Sequence, residues 1–464
     1  MFGSNMVIQR GVKAPVWGTA RPGEAVRVSF AGQEKTATAG KDGSWMLHLD
    51  PLEASSQGRE LAAACARKNG SSKTFTNVVV GEVWFCSGQS NMELGLGGIA
   101  NLQAELEDSD YPGIRVFLVS KDAQPFPVEN LSASWREGIG RNLLLEGWNG
   151  FSAVAYTFGR KLHKELGVPV GLIQSAFGGS PAHPWIPPED LRSTPGLAPY
   201  SRMIEEADKT YQEDRKRDSN AMHPFAGVTE WDRLKPGTLY NAMVHPVAPF
   251  AVRGFLWYQG ESDVGKAAEY PIAMKAMISG WRRIFRRGDI PFLFVQLPPY
   301  DYGAQGLLSD MWEAQAACLS IPNTGMAAAI DVGDPKDIHP TRKREVGERL
   351  ALLALVKAYG RKDVECSGPV FRGMKISGDK AIISFDHAER GLASRDGAPL
   401  SDFTISGSDM RFIPAQAVIS GNTVIVQSRE VGNPAAVRFA WSNLAAPNLR
   451  NAGGFPAMPF RTDA

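Results

Sequence analysis

Acyl transfer runs on a hydroxyl nucleophile, an imidazole base and a carboxylate, and this chain sets residues of these types just beyond apolar runs. In Gly81-Glu82-Val83-Trp84-Phe85-Cys86-Ser87-Gly88-Gln89-Ser90-Asn91-Met92 the apolar part ends in a short polar turn containing glycine. A strand over Gly81–Cys86 puts Ser90 beyond its carboxyl end, where a hydroxyl faces a cleft. The Ser90 backbone N–H, near a helix start, is then able to meet a developing oxyanion. The plainer reading is that Ser90 only caps the following helix. The run is not a Gly-x-Ser-x-Gly elbow, so that motif is not claimed.

A serine needs a base. The histidines are His48, His163, His183, His223, His245, His339 and His387. His48 and His387 fall in terminal β-like regions and His163 in a helical pattern. The other four each precede proline, which favours extended or turn backbone. Only His339 has the surroundings of a triad base. It follows an apolar run, Met326–Asp331, in the polar loop Gly333-Asp334-Pro335-Lys336-Asp337-Ile338-His339-Pro340, just before a helical pattern. Asp337 and Asp334 are both near enough in sequence to orient an imidazole and stabilise its charged form. The alternative is a loop histidine with acidic neighbours by chance.

Two further segments repeat the pattern. Gly254-Phe255-Leu256-Trp257-Tyr258-Gln259-Gly260-Glu261 runs from an apolar strand into a turn with an amide donor, Gln259, and a carboxylate, Glu261. Gly171-Leu172-Ile173-Gln174-Ser175-Ala176-Phe177-Gly178-Gly179-Ser180 ends in paired glycines, whose backbone N–H groups can approach a ligand closely. Either is ordinary loop chemistry if taken alone. Four strands ending in similar polar turns make chance a weaker explanation.

The elements that must position these residues follow from periodicity. Residues 1–80 read as a small β-sandwich-like module, with alternating runs at Val26–Phe30 and Trp45–Leu49 and turns at Arg21-Pro22-Gly23 and Lys41-Asp42-Gly43. Residues 81–360 alternate strand and helix. Strands are expected at Gly81–Cys86, Ile114–Val119, Val170–Ser175, Gly254–Gln259, Phe292–Leu297 and Met326–Asp331. Helices are expected at Ala153–Leu166, Tyr270–Phe285, Asp310–Leu319 and Arg342–Tyr359. That order predicts an α/β domain, a parallel sheet covered on both faces with its site at the carboxyl ends of the strands. A charged stretch at about 189–235 reads as a partly helical insertion. Residues 361–464 return to β character at Ala381–Phe385, Thr423–Gln427 and Ala436–Trp441.

Composition narrows the partners. The 464 residues carry 50 basic and 49 acidic side chains, which argues against nucleic acid and anionic membrane surfaces as partners. A neutral substrate such as a glycan fits that balance. No apolar stretch approaches the roughly 18 residues of a membrane span. Cys65, Cys86, Cys318 and Cys366 form no C-x-x-C pair. Cys86 and Cys318 read as buried thiols, with a Cys65–Cys366 bridge as one option. No metal-ligand spacing is present, and the chemistry requires no metal or organic cofactor.

At these residues the chain resembles the SGNH hydrolase superfamily and, within it, the sialate O-acetylesterase family of carbohydrate esterases. The runs GEVWFCSGQSNME, WYQGESD and DIHPTRKREVGERLA carry the likeness, and the opening VIQRGVKAPVWGTARPGEAV and the C-terminal β region extend it over nearly the whole chain. The resemblance implies a central flavodoxin-like parallel sheet of SGNH type flanked by β-rich modules. It implies Ser90 as nucleophile, His339 as base, and an oxyanion hole built from the N–H of Ser90, that of Gly178 or Gly179, and the Gln259 amide. Where the superfamily sets its acid three residues before the histidine, this chain has Lys336. Asp337 is therefore the first choice for the orienting acid, with Asp334, Glu261 or a bare Ser–His dyad as alternatives. Around Gly178-Gly179-Ser180-Pro181-Ala182-His183-Pro184-Trp185, His183 stands near where relatives carry an acidic residue. Glu261, Asn241, His183 and Trp185 are the expected substrate contacts, with Trp185 and Trp257 placed to stack on a sugar or to pack the core.

The implied activity is removal of acetyl groups from sugars, on acetylated sialic acid or on acetylxylan or xyloglucan. Rival classes are a glycosidase using Glu261 with an aspartate and a non-catalytic carbohydrate-binding protein. The sequence begins abruptly at a strand-like stretch, Met6–Gln9, and the expectation is a secreted or periplasmic enzyme whose leader is absent from this chain.

Overall fold

Apolar runs of period two build the strands. The computed structural model describes residues 1–67, 70–227, 234–304 and 306–463. These fall into two compact units, Met1–Tyr258 with Ile272–Phe292, and Gln259–Pro271 with Leu293–Ala464.

The first unit opens with seven strands: β1 (Val7–Gln9), β2 (Ala14–Thr19), β3 (Ala25–Phe30), β4 (Gln33–Thr38), β5 (Ser44–Leu49), β6 (Ser55–Cys65) and β7 (Ser72–Gly88). β2 pairs with β5, and β3 pairs with β4 and β6, all antiparallel. β5 alternates exposed and buried residues along its whole length, as a strand with one wet face must. β7 is the long element. Its outer half pairs antiparallel with β6 up to Val80 and parallel with β1 at Val79–Gly81. Its inner half continues without a break into the next sheet.

That sheet has the order β11-β7-β10-β8-β9 within this unit. Its strands are β8 (Ile114–Leu118), β9 (Trp135–Glu137), β10 (Val170–Ala176) and β11 (Gly254–Tyr258). β7, β8, β10 and β11 are parallel, and β9 is an antiparallel edge. Between them come short helices α1 (Ser90–Glu93) and α2 (Leu102–Glu107), then α3 (Ala153–Leu166), α4 (Pro188–Ser193), α5 (Ala198–Arg217) and α6 (Tyr270–Phe285). Neighbouring residues of β7 face opposite ways, and each face has its helix. Trp84 meets Phe158 of α3, while Phe85 meets Trp281 and Phe285 of α6. Mixed α/β architecture with a mostly parallel sheet is thus present. β10 and α3 lie where the periodicity puts them, with β10 one residue longer than expected. Of the expected insertion, α4 and α5 supply the helical part, and residues 228–233 lie outside the described residues.

The second unit holds β12 (Phe292–Val295, from Leu293), α7 (Leu307–Ala317), β13 (Thr324–Ala327) and α8 (Lys343–Lys357). β12 and β13 are neighbours. β13 is shorter than the expected Met326–Asp331. Its chain leaves the ladder after Ala327, and Arg349 of α8 then binds the Ala328 carbonyl and the Asp331 carboxylate. The β-rich tail forms a four-stranded sheet from β14 (Val370–Ser377), β15 (Lys380–Asp386), β19 (Gln416–Ser420) and β20 (Thr423–Gln427). A second holds β17 (Phe403–Ser406), β18 (Ile413–Pro414), β21 (Ala436–Phe439) and β23 (Phe460–Arg461). β16 (Leu392–Ser394) pairs with β22 (Leu449–Asn451). All four cysteines are free thiols; Cys86 and Cys318 are buried.

Candidate active site

The Ser90 turn is built by a strand that can go no further. Val78 to Gly88 is buried throughout, and the run ends at Gly88, whose φ is +142°. A Cβ there would lie 2.1 Å from the Tyr258 carbonyl oxygen, so only glycine fits. The Gln89 N–H then donates to that same carbonyl at 3.0 Å. The Gln89 carbonyl accepts from the N–H groups of Met92 and Glu93, which winds α1. Gln89 is the N-cap, with no side-chain capping bond. Ser90 is therefore the first helical residue and not a cap, and it is half-buried.

Glu93 is the residue sequence reasoning missed. It is 3% exposed. One carboxylate oxygen, Oε1, lies 2.6 Å from Lys121 Nζ; the other, Oε2, accepts the Gly178 N–H at 2.8 Å. Ser90-Asn91-Met92-Glu93 fits the capping-box spacing, which was the available signal. Here the glutamate reaches across to the β10 turn instead. That turn lies against Ser90: a Cβ at Gly178 would be 3.6 Å from Ser90 Cβ. Gly179 follows at φ +70°. Of the two glycines expected to donate to an oxyanion, Gly178 gives its N–H to the Glu93 carboxylate.

The substrate contacts expected around this turn divide. Trp185 and Trp257 are fully buried, edge to face at 5.9 Å. Trp185 Nε1 donates to Ser180 Oγ at 2.9 Å. Both are core, and neither can stack on a sugar. Asn241 is 1% exposed and donates its amide to the carbonyls of Gln124 and Pro125 at 3.1 and 2.9 Å. Its Nδ2 holds that loop, while its Oδ1 is buried without a hydrogen-bond partner among the described residues. His183 is half-buried and stacks on Tyr200 of α5 at 4.2 Å.

His339 stands in the second unit, in the loop between β13 and α8. Its ring Nδ1 is 3.9 Å from Asp337 Oδ1, while its backbone N–H donates to that same oxygen at 2.8 Å. Asp337 is thus first a turn-forming carboxylate and second a charge beside the ring. Asp334 accepts the Lys336 N–H and plays the same turn role. One helical turn on, Lys343 is 1% exposed. Burial pushes its ammonium down to about 7, against the pull of Glu261 and Asp337. His339 is pushed below the ordinary histidine value by burial and by the Lys343 charge, while Asp337 acts upward. In the same unit Glu261 is 8% exposed. Gln259 is fully buried, its Nε2 donating to Asp263 Oδ2 at 2.7 Å, and its carbonyl accepts the Tyr270 hydroxyl at 3.0 Å. Lys343 too went unnoticed in the sequence, where it is one cation in a basic run.

Known proteins carry the same framework. Sialate O-acetylesterase of Rattus norvegicus is 29% identical over 94% of this chain and 88% of its own length. The Homo sapiens protein of the same name is 28% identical over 98% and 90%. A crystal structure of a carbohydrate acetylesterase from Xanthomonas citri superposes with a TM-score of 0.86 at 34% identity, covering 100% of this chain and 98% of that one. The family model for carbohydrate esterases described as sialic acid-specific acetylesterases matches residues 80–222 and 225–355. With more than half of its length matched, the chain belongs to the sialic acid-specific acetylesterase family of carbohydrate esterases.

Proposed function

We propose that this protein is an SGNH-type serine hydrolase that removes acetyl esters from sugars by two-step acyl transfer through Ser90. The observation that carries the reading is the Gly178–Gly179 turn seated on Ser90 and held by Glu93. His339 takes the Ser90 proton as the hydroxyl attacks the acetyl carbonyl, and Asp337 offsets the charge the ring gains. The N–H groups of Ser90 and Gly179 and the Gln259 amide receive the oxyanion. Asp263 accepts from the Gln259 amide nitrogen and fixes the plane of the amide. The sugar leaves with the proton returned by His339, and water, activated by the same base, releases acetate. The reaction is assigned to residues 81–360, with the β-rich ends as supports.

The test is acetate release from acetylated sialic acid, acetylxylan and acetylated xyloglucan, read beside folding. Ser90→Ala should abolish release on every substrate while retaining the native melting profile. It should also abolish the covalent acetyl adduct that the native protein forms with p-nitrophenyl acetate, as read by intact mass. Full turnover in a folded Ser90→Ala protein would end the proposal.

A further inference from the structure

Between the carboxyl ends of β8 and β10 lies an open cleft of about 800 Å³. That volume suits a sugar unit or two. Its lining includes the exposed hydroxyl residues Ser120, Ser132 and Ser134 and the indole of Trp148, which is 39% exposed. The Trp148 backbone is pinned: the Gly95 N–H donates to the Trp148 carbonyl at 2.9 Å, Gly97 to Asn149 at 2.7 Å and Leu96 to Phe151 at 3.1 Å. The residues that pin it directly follow α1, the helix that Ser90 begins. An aromatic face carried on a held backbone beside hydroxyls is a combination suited to a pyranose, whose ring offers C–H faces and a rim of hydroxyls.

The charges around the cleft are balanced. Lys121 is paired with Glu93 at 2.6 Å, and Glu146 with Arg136 at 3.0 Å. An anionic sugar would compete for Lys121 with Glu93, the carboxylate that also holds the Gly178 turn against Ser90. An uncharged sugar makes no such demand. We propose that this cleft is a glycan subsite, taking an uncharged pyranose unit next to the acetylated sugar, with Trp148 as its stacking face. The assignment rests on the esterase reading of the Ser90 turn, which Glu93 joins to the cleft.

The test separates binding from turnover. Ser90→Ala protein, with and without Trp148→Ala or Trp148→Phe, is titrated calorimetrically with cellohexaose, xylohexaose and 3′-sialyllactose. The expected result is binding of a neutral hexasaccharide that weakens at least about ten-fold, or 1.4 kcal/mol, with alanine and is largely kept with phenylalanine. In the Ser90-intact protein, Trp148→Ala should lower kcat/KM more on acetylated xylo-oligosaccharide than on p-nitrophenyl acetate. Binding of neither hexasaccharide, affinity indifferent to residue 148, or equal losses on both esters would overturn the subsite. Tighter binding of sialyllactose than of either hexasaccharide would overturn its uncharged character. Sugar binding that depends on Trp148 in a protein that never releases acetate would sink the esterase reading and leave the subsite standing.

Discussion

Ser90 faces a turn that Glu93 fixes, and within the second unit Asp263 holds the Gln259 amide. A single oxyanion donor is worth about 2.7–4 kcal/mol, or roughly 10²–10³ in rate. Gln259→Ala should therefore lose that much in kcat, measured on p-nitrophenyl acetate. Unchanged turnover in the folded variant would remove Gln259 from the hole. The base also has a pH signature. A general base works only when neutral, so under the proposed mechanism the acid limb of kcat/KM follows the His339 titration. Burial and the Lys343 charge lower that titration, so the limb should fall below the ordinary histidine value of about 6.5. The charged groups set around the ring are Asp337 in its own loop, Lys343 on α8 and, through Lys343, Glu261. Lys343→Met removes a charge that disfavours imidazolium and should move the limb to higher pH. Asp337→Asn should move it lower, because Asp337 favours the protonated ring. Movement in the opposite sense in either variant would show that another group sets the limb.

At the scale of elements, periodicity was a good guide where one pattern had no rival. α3 spans the same Ala153–Leu166 in pattern and in fold, capped by the Ser152 side chain at one end and left-handed Gly167 at the other. Chain ends of strands were less legible. Nothing in the sequence of Met326–Asp331 says that Arg349, a turn and a half into α8, will claim the Asp331 carboxylate just after the chain leaves the ladder. Of the candidate site, Ser90, Gly178–Gly179 and His339 were readable because each follows an apolar run. Glu93 and Lys343 were not, since their significance lies in a partner on another element. Trp185 was read in two ways, and burial decides for the core. The strand end before Ser90 also yields a prediction. Gly88→Ala places a methyl against the Tyr258 carbonyl at a positive φ. It should cost more than about 2 kcal/mol in denaturant unfolding and lower esterase activity along with it. A variant as stable as the native protein would mean that the turn yields more readily than its geometry implies.

On the scale of the molecule, the chain has almost equal numbers of opposite charges, and among the described residues no helix is long and apolar enough to cross a membrane. The long strand β7 runs unbroken from Ser72 to Gly88. The sequence pattern suggests a seam at residue 80, yet the strand passes through it, bonded to the leading β-structure on one side and to β10 and β11 on the other. Just past that point Glu82 is fully buried, and it is held by Gln9 at 2.9 Å, by Arg253 at 2.8 Å and by Arg10. Deleting residues 1–80 would strip two of those three partners from a buried carboxylate, a loss on the order of 3–5 kcal/mol. The shortened chain should be insoluble or unfolded by circular dichroism; a stable, active fragment would refute this. For protein engineering and for natural recombination alike, the consequence is that the leading region is not an interchangeable attachment. A graft that joins one relative's front to another's esterase has to carry across both halves of this shared ribbon, together with the polar clasp at its waist, or the junction will fail at the buried carboxylate that holds the two halves in line.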